Sequence, residues 1–284
     1  MSPGSAPALL EVDGLHVHFG GVKAVQGVSL RAEPGSIVGL IGPNGSGKTT
    51  LLDAISGLVT PQDGSVRVDG GELVEYLPEE RQSVGVIRSF QDCRLFPELA
   101  VLDVLLLCED ARRPTGVLSS TLHLPWARRS ERAKREAVGR VIEAFGLERF
   151  RYHRIAQLST GTRRVVDLAS IVLAEPRLLL LDEPTAGIAQ REAEAFVPLL
   201  RRLRDVADTT IVLVEHDVPL VFQLCSKVVV LELGSVVAEG TPEAIREDPR
   251  ALAAYLGASE EALAVSGPHR PARTRPRTDG GETP

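Results

Sequence analysis

The chain has 284 residues, 43% hydrophobic and 25% charged, which is an ordinary composition for a globular protein. Its net charge of −6 gives no electrostatic reason to bind nucleic acid, and its three scattered cysteines argue against a disulfide framework or a zinc site. It lacks the start of a signal peptide and any apolar run long enough to span a bilayer, so we expect that it does not cross a membrane.

The first third of the chain predicts strands around one glycine-rich loop. Residues 9–19 and 25–32 alternate apolar and polar side chains on either side of a Gly-Gly pair, which predicts two antiparallel strands. The apolar run 37–41 predicts a buried strand, and residues 50–55 predict the helix that follows the loop. A short strand is expected at 65–70. Residues 79–82 predict a solvated turn before a second buried strand at 84–87.

The rest of the chain predicts a helical insertion and then alternating strands and helices. Apolar residues at helical spacing over about 95–156 predict an inserted helical subdomain, whose amphipathic helix at 131–147 carries Arg and Lys outside. Buried strands are expected at 178–181 and 210–214, helices at 160–174, 191–206 and 218–225, a hairpin at 227–238 and two short helices within 242–256. Apolar strands that alternate with helices predict an α/β fold with a largely parallel core sheet, covered on both faces. The tail, 258–284, is predicted to be disordered from about 266.

The glycine-rich loop fits the phosphate-loop pattern G-x-x-x-x-G-K-[ST] between the predicted strand and helix. Its residues are Gly42, Pro43, Asn44, Gly45, Ser46, Gly47, Lys48, Thr49 and Thr50. In such loops the main-chain N–H groups converge on phosphate oxygens, and the helix N-terminus adds a partial positive charge. Lys48 is expected to reach the β- and γ-phosphates of a nucleotide, and the Thr49 hydroxyl to ligate Mg²⁺.

Asp182 and Glu183 follow the apolar strand at 178–181, so they are expected at the carboxyl edge of the sheet, where ligands bind in such folds. Asp182 is predicted to hold Mg²⁺ through water, and Glu183 to act as general base on the attacking water. The alternative is a strand that simply ends in a polar turn. The phosphate loop favours the catalytic interpretation.

The order of further motifs resembles the ATP-binding subunits of ABC transporters over about residues 9–257. The chain has a phosphate loop, a Gln after a strand, a helical segment, the signature-like sequence Leu-Ser-Thr-Gly-Thr from residue 158, the acidic strand and a His. The resemblance implies a P-loop NTPase fold with an antiparallel β subdomain and an inserted helical subdomain, over a domain at 8–257. It implies ATP and Mg²⁺ as cofactors, and ATP hydrolysis coupled to transport as the activity.

The resemblance also implies roles for five residues outside the phosphate loop. Ser159 and Gly161 match the signature loop, which contacts the γ-phosphate bound to the opposite subunit. Gln91 matches the residue that senses Mg²⁺ and the attacking water and couples them to the membrane subunits. His216 matches the residue that contacts the γ-phosphate, and Phe19 matches the aromatic that stacks on adenine. Taken singly, Gln91 and His216 could be solvated or hydrogen-bonded residues, and Phe19 could be a core residue.

Three positions depart from the family pattern. The signature has Thr160 and Thr162 where the family usually has Gly and Gln, and Ala189 stands where an Asp or Asn usually lies. That Asp or Asn normally hydrogen-bonds across a dimer, which a methyl group cannot do. Nucleotide binding between two subunits remains the expectation, whereas communication between their two sites is placed in doubt.

Two segments resemble the ATPases of branched-chain amino acid importers: residues 88–99 and 239–257. The basic segment 124–129 resembles the larger ATPase subunit of such importers, although it could be a solvated helix face. The resemblance implies a peripheral protein on the cytoplasmic face of the membrane, partnered by permease subunits and a second ATPase, identical or paralogous. Two alternatives stay open, a soluble ABC ATPase of DNA repair or translation and a degenerate regulatory subunit.

Overall fold

The computed structural model describes residues 8–89, 95–112, 125–187 and 190–256. Gln91, Ala189 and the C-terminal tail lie outside these residues, and so does part of the basic segment 124–129. The predictions made for them remain predictions. The boundaries predicted for the domain, 8–257, and for its helical subdomain remain predictions.

Ten strands form two sheets in the described residues. The strands are β1 (Leu10–Phe19), β2 (Val22–Ala32), β3 (Ile37–Ile41), β4 (Asp63–Val68), β5 (Gly71–Glu72), β6 (Val86–Ser89), β7 (Leu178–Asp182), β8 (Thr210–Val214), β9 (Lys227–Glu232) and β10 (Ser235–Gly240). The smaller sheet is antiparallel, in the order β2-β1-β4-β5. The larger has the order β10-β9-β3-β8-β7-β6, and only its edge strand β10 is antiparallel. The predicted α/β fold with a largely parallel core sheet is therefore confirmed.

The described residues contain eight helices. They are α1 (Lys48–Ser56), α2 (Val101–Arg112), α3 (Pro125–Ala144), α4 (Thr160–Leu173), α5 (Gln190–Ala207), α6 (Val218–Leu224), α7 (Pro242–Glu247) and α8 (Pro249–Leu256). Short 3₁₀ turns lie at Leu73–Glu75, Arg81–Val84, Glu148–Phe150 and Ile155–Gln157. Along the chain, α2, α3 and α4 lie between β6 and β7, which are neighbouring parallel strands of the sheet.

Side chains alternate across the core strands and divide the interior into layers. In β7, Leu178 and Leu180 face α1 and the antiparallel sheet, whereas Leu179 and Leu181 face α5 and α6. A third cluster joins α2, α3 and α4 through leucine, valine and isoleucine side chains at helical spacing. Because the sheet is buried on both faces, its central strands β3, β7, β8 and β9 are nearly continuous apolar runs, with polar residues at or just beyond their ends.

Two charged residues lie where the sequence pattern did not predict them. Arg81, expected in a solvated turn, is buried and donates to the carbonyl oxygens of Ala54 and Ile55 at the end of α1. Lys134, expected on the outside of its helix, is buried and pairs with Asp110 of α2 and with Glu131. Both predictions were wrong because the partners that satisfy these charges are supplied by other turns and helices, which a local pattern does not reveal.

The second buried strand also lies two residues later than predicted. The prediction was 84–87, and β6 is Val86–Ser89. Val84 instead ends a 3₁₀ turn, and Gly85 follows it with a φ of 81°. The shift brings Arg88 and Ser89 into the sheet, next to β7.

Candidate functional site

The phosphate loop connects β3 to α1 and depends on glycine at defined points. Gly47 has a φ of 101°, and a Cβ added to it would collide with the carbonyl oxygen of Ala24 in β2. Gly42 has a φ of 150°, and its Cβ would collide with the carbonyl oxygen of Leu231 in β9. The loop is therefore folded tightly against two strands, at positions where a side chain does not fit.

Lys48 begins α1 and is buried within the loop. Its Nζ donates to the carbonyl oxygens of Gly42 at 2.8 Å and Pro43 at 2.9 Å. Burial lowers the pKa of Lys48, and the charges of Glu183 and Asp182 partly oppose this shift. The buried ammonium attracts an anionic ligand, whereas the two carboxylates repel one, so a phosphate bound here calls for a cation that offsets their charge.

A cleft of about 540 Å³ opens over this loop. Its lining consists of Gly21, Val22, Lys23, Ala24, Gln26, Asn44, Gly45, Ser46, Gly47, Lys48, Thr49, Thr50, Glu183 and Leu233. The loop residues predicted to bind a nucleotide thus line one cleft from Asn44 to Thr50, whereas Gly42 and Pro43 contribute the carbonyls that hold Lys48. The Ser46 hydroxyl is buried and has no hydrogen-bond partner among the described residues.

Asp182 ends β7 beside the start of α1. Its Oδ1 accepts a long hydrogen bond of 3.5 Å from Thr49 Oγ1, and its Oδ2 accepts one of 2.9 Å from Arg88 Nη2. Arg88 also pairs with Asp53 of α1 and donates to Ser56. Burial raises the pKa of Asp182, and Arg88 is the main influence that lowers it. Arg88 therefore fixes the Asp182 carboxylate with one oxygen turned toward Thr49.

The oxygen atoms of Thr49 and Asp182 fit the ligands that Mg²⁺ prefers. The described residues contain no group of three or more His, Cys, Asp or Glu side chains arranged to hold a metal on their own. At phosphate sites Mg²⁺ is held by one or two protein oxygens together with substrate phosphates and water.

Glu183 and His216 meet at the carboxyl edge of the sheet. Nε2 of His216 lies 2.8 Å from Oε1 of Glu183, which is hydrogen-bond distance. Glu183 has a φ of 49°, a left-handed conformation that is uncommon outside glycine, and its N–H donates to the carbonyl of Val214. Strained residues of this kind cluster at functional sites, and this one places the carboxylate on the wall of the cleft.

Glu215 joins the two turns that carry this pair. Its Oε1 accepts from the N–H and the hydroxyl of Thr185, at 2.9 and 2.7 Å, and its Oε2 accepts from the N–H of His216 at 3.2 Å. The buried carboxylate thus ties the segment after β7 to the segment after β8. We infer that this tie sets the spacing of Glu183 and His216.

The other predicted site residues lie outside the cleft lining. Phe19 ends β1, pairs with the cleft residue Val22 and is 51% exposed. Ser159 precedes α4, where its Oγ accepts from Thr162 N at 3.2 Å and lies 3.0 Å from Thr162 Oγ1. Gly161 is buried in the first turn of the same helix.

Arg88 and Glu215 were missed as site residues by the sequence reasoning. A single arginine in an otherwise apolar strand, Val-Ile-Arg-Ser, is a signal for Arg88, because a charge in a buried strand needs a partner. Glu215 follows the fully buried β8 directly, as Asp182 ends β7, so it occupies the same edge of the sheet.

A glycine-rich loop between a parallel strand and a helix, with acidic residues at the end of a neighbouring strand, defines a P-loop nucleotide-binding protein. The ABC transporter family model matches residues 25–186, more than half of the chain, and the branched-chain amino acid ATP-binding cassette transporter model matches 235–261. The chain belongs to the ABC transporter family and is an ATPase that energises transport.

The similarity to known relatives extends over almost their whole length. The chain is 37% identical to the high-affinity branched-chain amino acid transport ATP-binding protein BraF of Pseudomonas aeruginosa, and 36% identical to LivG of Escherichia coli K12. Each match covers 88% of this chain and 98% of the relative.

No helix among the described residues is both long and apolar enough to cross a membrane.

Two solved structures of ATP-binding cassettes share the fold at 26% identity. A nucleotide-free cassette from an ABC transporter has a TM-score of 0.74 and matches 88% of this chain and 99% of its own. The cassette MJ1267 in its ADP conformation has a TM-score of 0.75 and matches 89% of this chain and all of its own.

Proposed function

We propose that this chain is the ATP-hydrolysing subunit of an ABC importer for branched-chain amino acids, held at the cytoplasmic face of the membrane by permease subunits. The proposal that branched-chain amino acids are transported rests on the similarity to BraF and LivG over nearly their whole length, together with the family match at residues 235–261. The ATPase domain is proposed to extend over 8–257.

Lys48 and the main-chain N–H groups of the phosphate loop are proposed to bind the phosphates of ATP. The support is the ammonium of Lys48, held inside the loop by the carbonyls of Gly42 and Pro43, and the tight glycine-dependent fold of the loop. Phe19, at the end of β1, is assigned to the adenine.

Thr49, Asp182 and Gln91 are proposed to hold Mg²⁺, which neutralises charge on the phosphates. The support is the approach of Thr49 Oγ1 to Asp182 Oδ1 and the ion pair that leaves this oxygen turned toward Thr49. Gln91 follows β6 by two residues and lies outside the described residues.

Glu183 is proposed to accept a proton from a water molecule. The oxygen of that water attacks the γ-phosphorus while the bond from phosphorus to the β–γ bridging oxygen breaks. His216 is proposed to position Glu183 and to contact the γ-phosphate. The support is their 2.8 Å contact and the place of Glu183 on the cleft wall. A general base of this kind contributes about 10²–10⁴-fold to a rate.

Two surfaces are proposed to need partner subunits. Ser159 and Gly161 are not in the lining of the chain's own cleft, so we assign them to a nucleotide bound by a second ATPase subunit. Permease subunits are assigned to the groove between β6, α2 and α4, where Phe96 and Leu107 are exposed and Arg88 connects the groove to Asp182.

The test is affinity purification of a Glu183→Gln variant from native membranes in mild detergent with ATP, followed by mass spectrometry. We expect permease subunits and an ATPase partner, which is either a paralogue or an untagged copy of this chain. A Lys48→Ala control is expected to lose the ATP-dependent partner because it binds the phosphates poorly. Recovery of soluble proteins alone would contradict the proposal that the chain belongs to an importer. Recovery of a permease for another class of solute would contradict the proposed cargo.

A further inference from the structure

The two-residue turn between β9 and β10, Leu233-Gly234, is attached to the phosphate loop by main-chain atoms. The N–H of Gly234 donates to the carbonyl of Ser46 at 3.0 Å. Gln26 of β2 donates from its N–H to the carbonyl of Gly234 at 2.8 Å, and from Nε2 to the carbonyl of Leu233 at 2.7 Å. The side chain of Leu233 makes none of these bonds, so they hold the turn in place without it.

Leucine is an unfavourable residue for this turn. Leu233 has a φ of 47° and Gly234 a φ of 82°, so both central residues of the hairpin are left-handed, as in a type I′ turn. Asn-Gly is the preferred pair in such turns, because asparagine tolerates the left-handed conformation and leucine rarely adopts it. Folding alone therefore gives no reason for leucine here.

Packing within the chain does not compensate for this choice. The side chain of Leu233 is 78% exposed, more than any other large hydrophobic residue in the described part of the chain. It lines the same cleft as the phosphate loop, and so does Val22, which is 66% exposed. The cleft thus combines the polar phosphate loop with two exposed aliphatic side chains.

We propose that Leu233 is an affinity-determining residue for the nucleoside part of the nucleotide, and that with Val22 it forms an apolar wall for the base and ribose. This inference rests on the proposed binding of phosphates by Lys48 and its loop. Only a nucleoside phosphate has a base and ribose that can bury apolar surface against an aliphatic wall. The wall therefore strengthens its binding relative to that of an inorganic polyphosphate in the same loop.

The test is isothermal titration of the full chain with ADP and with tripolyphosphate in EDTA. For Leu233→Asn we expect the Kd for ADP to rise roughly ten-fold, from the loss of a small apolar contact, while the Kd for tripolyphosphate stays within two-fold. The melting temperature of the ligand-free variant is expected to be unchanged or higher, because asparagine suits the turn. Leu233→Met is expected to keep most of the ADP affinity, and Leu77→Asn, at an exposed leucine outside the cleft lining, all of it.

Unchanged ADP affinity in Leu233→Asn would overturn the inference. If that variant also lost ATP-dependent association, Leu233 would belong to a subunit contact instead. Equal weakening of both ligands would overturn the inference too, since the turn would then act on phosphate binding through Ser46. Failure of the parent chain to bind either ligand would contradict the proposed phosphate site itself.

Discussion

Arg88 holds its guanidinium between carboxylates from two different elements, Asp182 of β7 and Asp53 of α1. Its side chain is 7% exposed and that of Asp182 is 3% exposed. Removing one partner of a buried pair leaves the other charge without compensation, and this costs much more than losing a surface pair.

We therefore expect Arg88→Met to lower the free energy of unfolding by about 3–5 kcal/mol in urea denaturation. The control is Arg132→Met, which removes an exposed pair with Glu136 within α3 and should cost less than about 1 kcal/mol. Equal small losses in the two variants would show that Arg88 does not stabilise the buried carboxylates.

Asp167 of α4 gives a stability effect that depends on pH. Burial raises its pKa, opposed by a hydrogen bond from Ser89 and by the charge of Arg164. A raised carboxyl pKa means that the folded chain binds the proton more tightly than the unfolded chain. The folded state therefore loses stability as the pH rises from the ordinary range of an aspartate through the raised value.

Asp167→Asn is expected to be more stable than the parent at pH 7.5, and to lose this advantage below about pH 4, where both states of the parent are protonated. Urea denaturation at the two pH values measures the difference. An advantage of the same size at both would contradict the assignment, because it would not depend on ionisation.

The elements of the fold were mostly predictable from the sequence, and their polar connections were not. The strand bounds of β3 and β8 agree with their apolar runs because both strands are buried on two faces. The bounds of β6 were missed because two of its four residues are polar, and they are stabilised by Asp182 and Asp167 from distant parts of the chain. That error also concealed Arg88.

The phosphate loop allows two glycine substitutions to be compared directly. Gly45 and Gly47 both have positive φ, but a Cβ on Gly45 meets nothing within 4 Å, whereas one on Gly47 collides with the backbone of β2. We expect Gly45→Ala to cost about 1 kcal/mol and Gly47→Ala about 1–3 kcal/mol more, measured by urea denaturation. Equal costs would show that the loop can move away from β2.

At the scale of the whole molecule, the carboxyl ends of four neighbouring strands, β3, β8, β7 and β6, lie at one edge of the core sheet. The phosphate loop follows β3, Glu183 follows β7, the Glu215–His216 pair follows β8, and β6 supplies Arg88. Parallel strands place their carboxyl ends together, so the sequence pattern alone could predict this convergence. It could not predict the contact of Glu183 with His216 or the Glu215 hydrogen bonds, because these depend on the conformations of the turns after the strands.

The signature residues lie apart from the phosphate loop of the same chain. Ser159 precedes α4 and Gly161 lies in its first turn, and neither is in the cleft lining, so under the proposed function a second subunit supplies its own copy to the catalytic site. Thr162, one of the departures from the family pattern, approaches the Ser159 hydroxyl at 3.0 Å. The substitution therefore changes the surroundings of a residue assigned to the γ-phosphate.

The most direct test of the account is Mg·ATP turnover by the parent chain and by Glu183→Gln, with ATP binding and association of each measured in parallel. We predict that the parent hydrolyses ATP, and that Glu183→Gln is at least about 100-fold slower while it still binds ATP and associates in an ATP-dependent manner. Hydrolysis by Glu183→Gln at the parent rate would contradict the assignment of Glu183 as general base. ATP binding by the parent without turnover would favour a regulatory subunit.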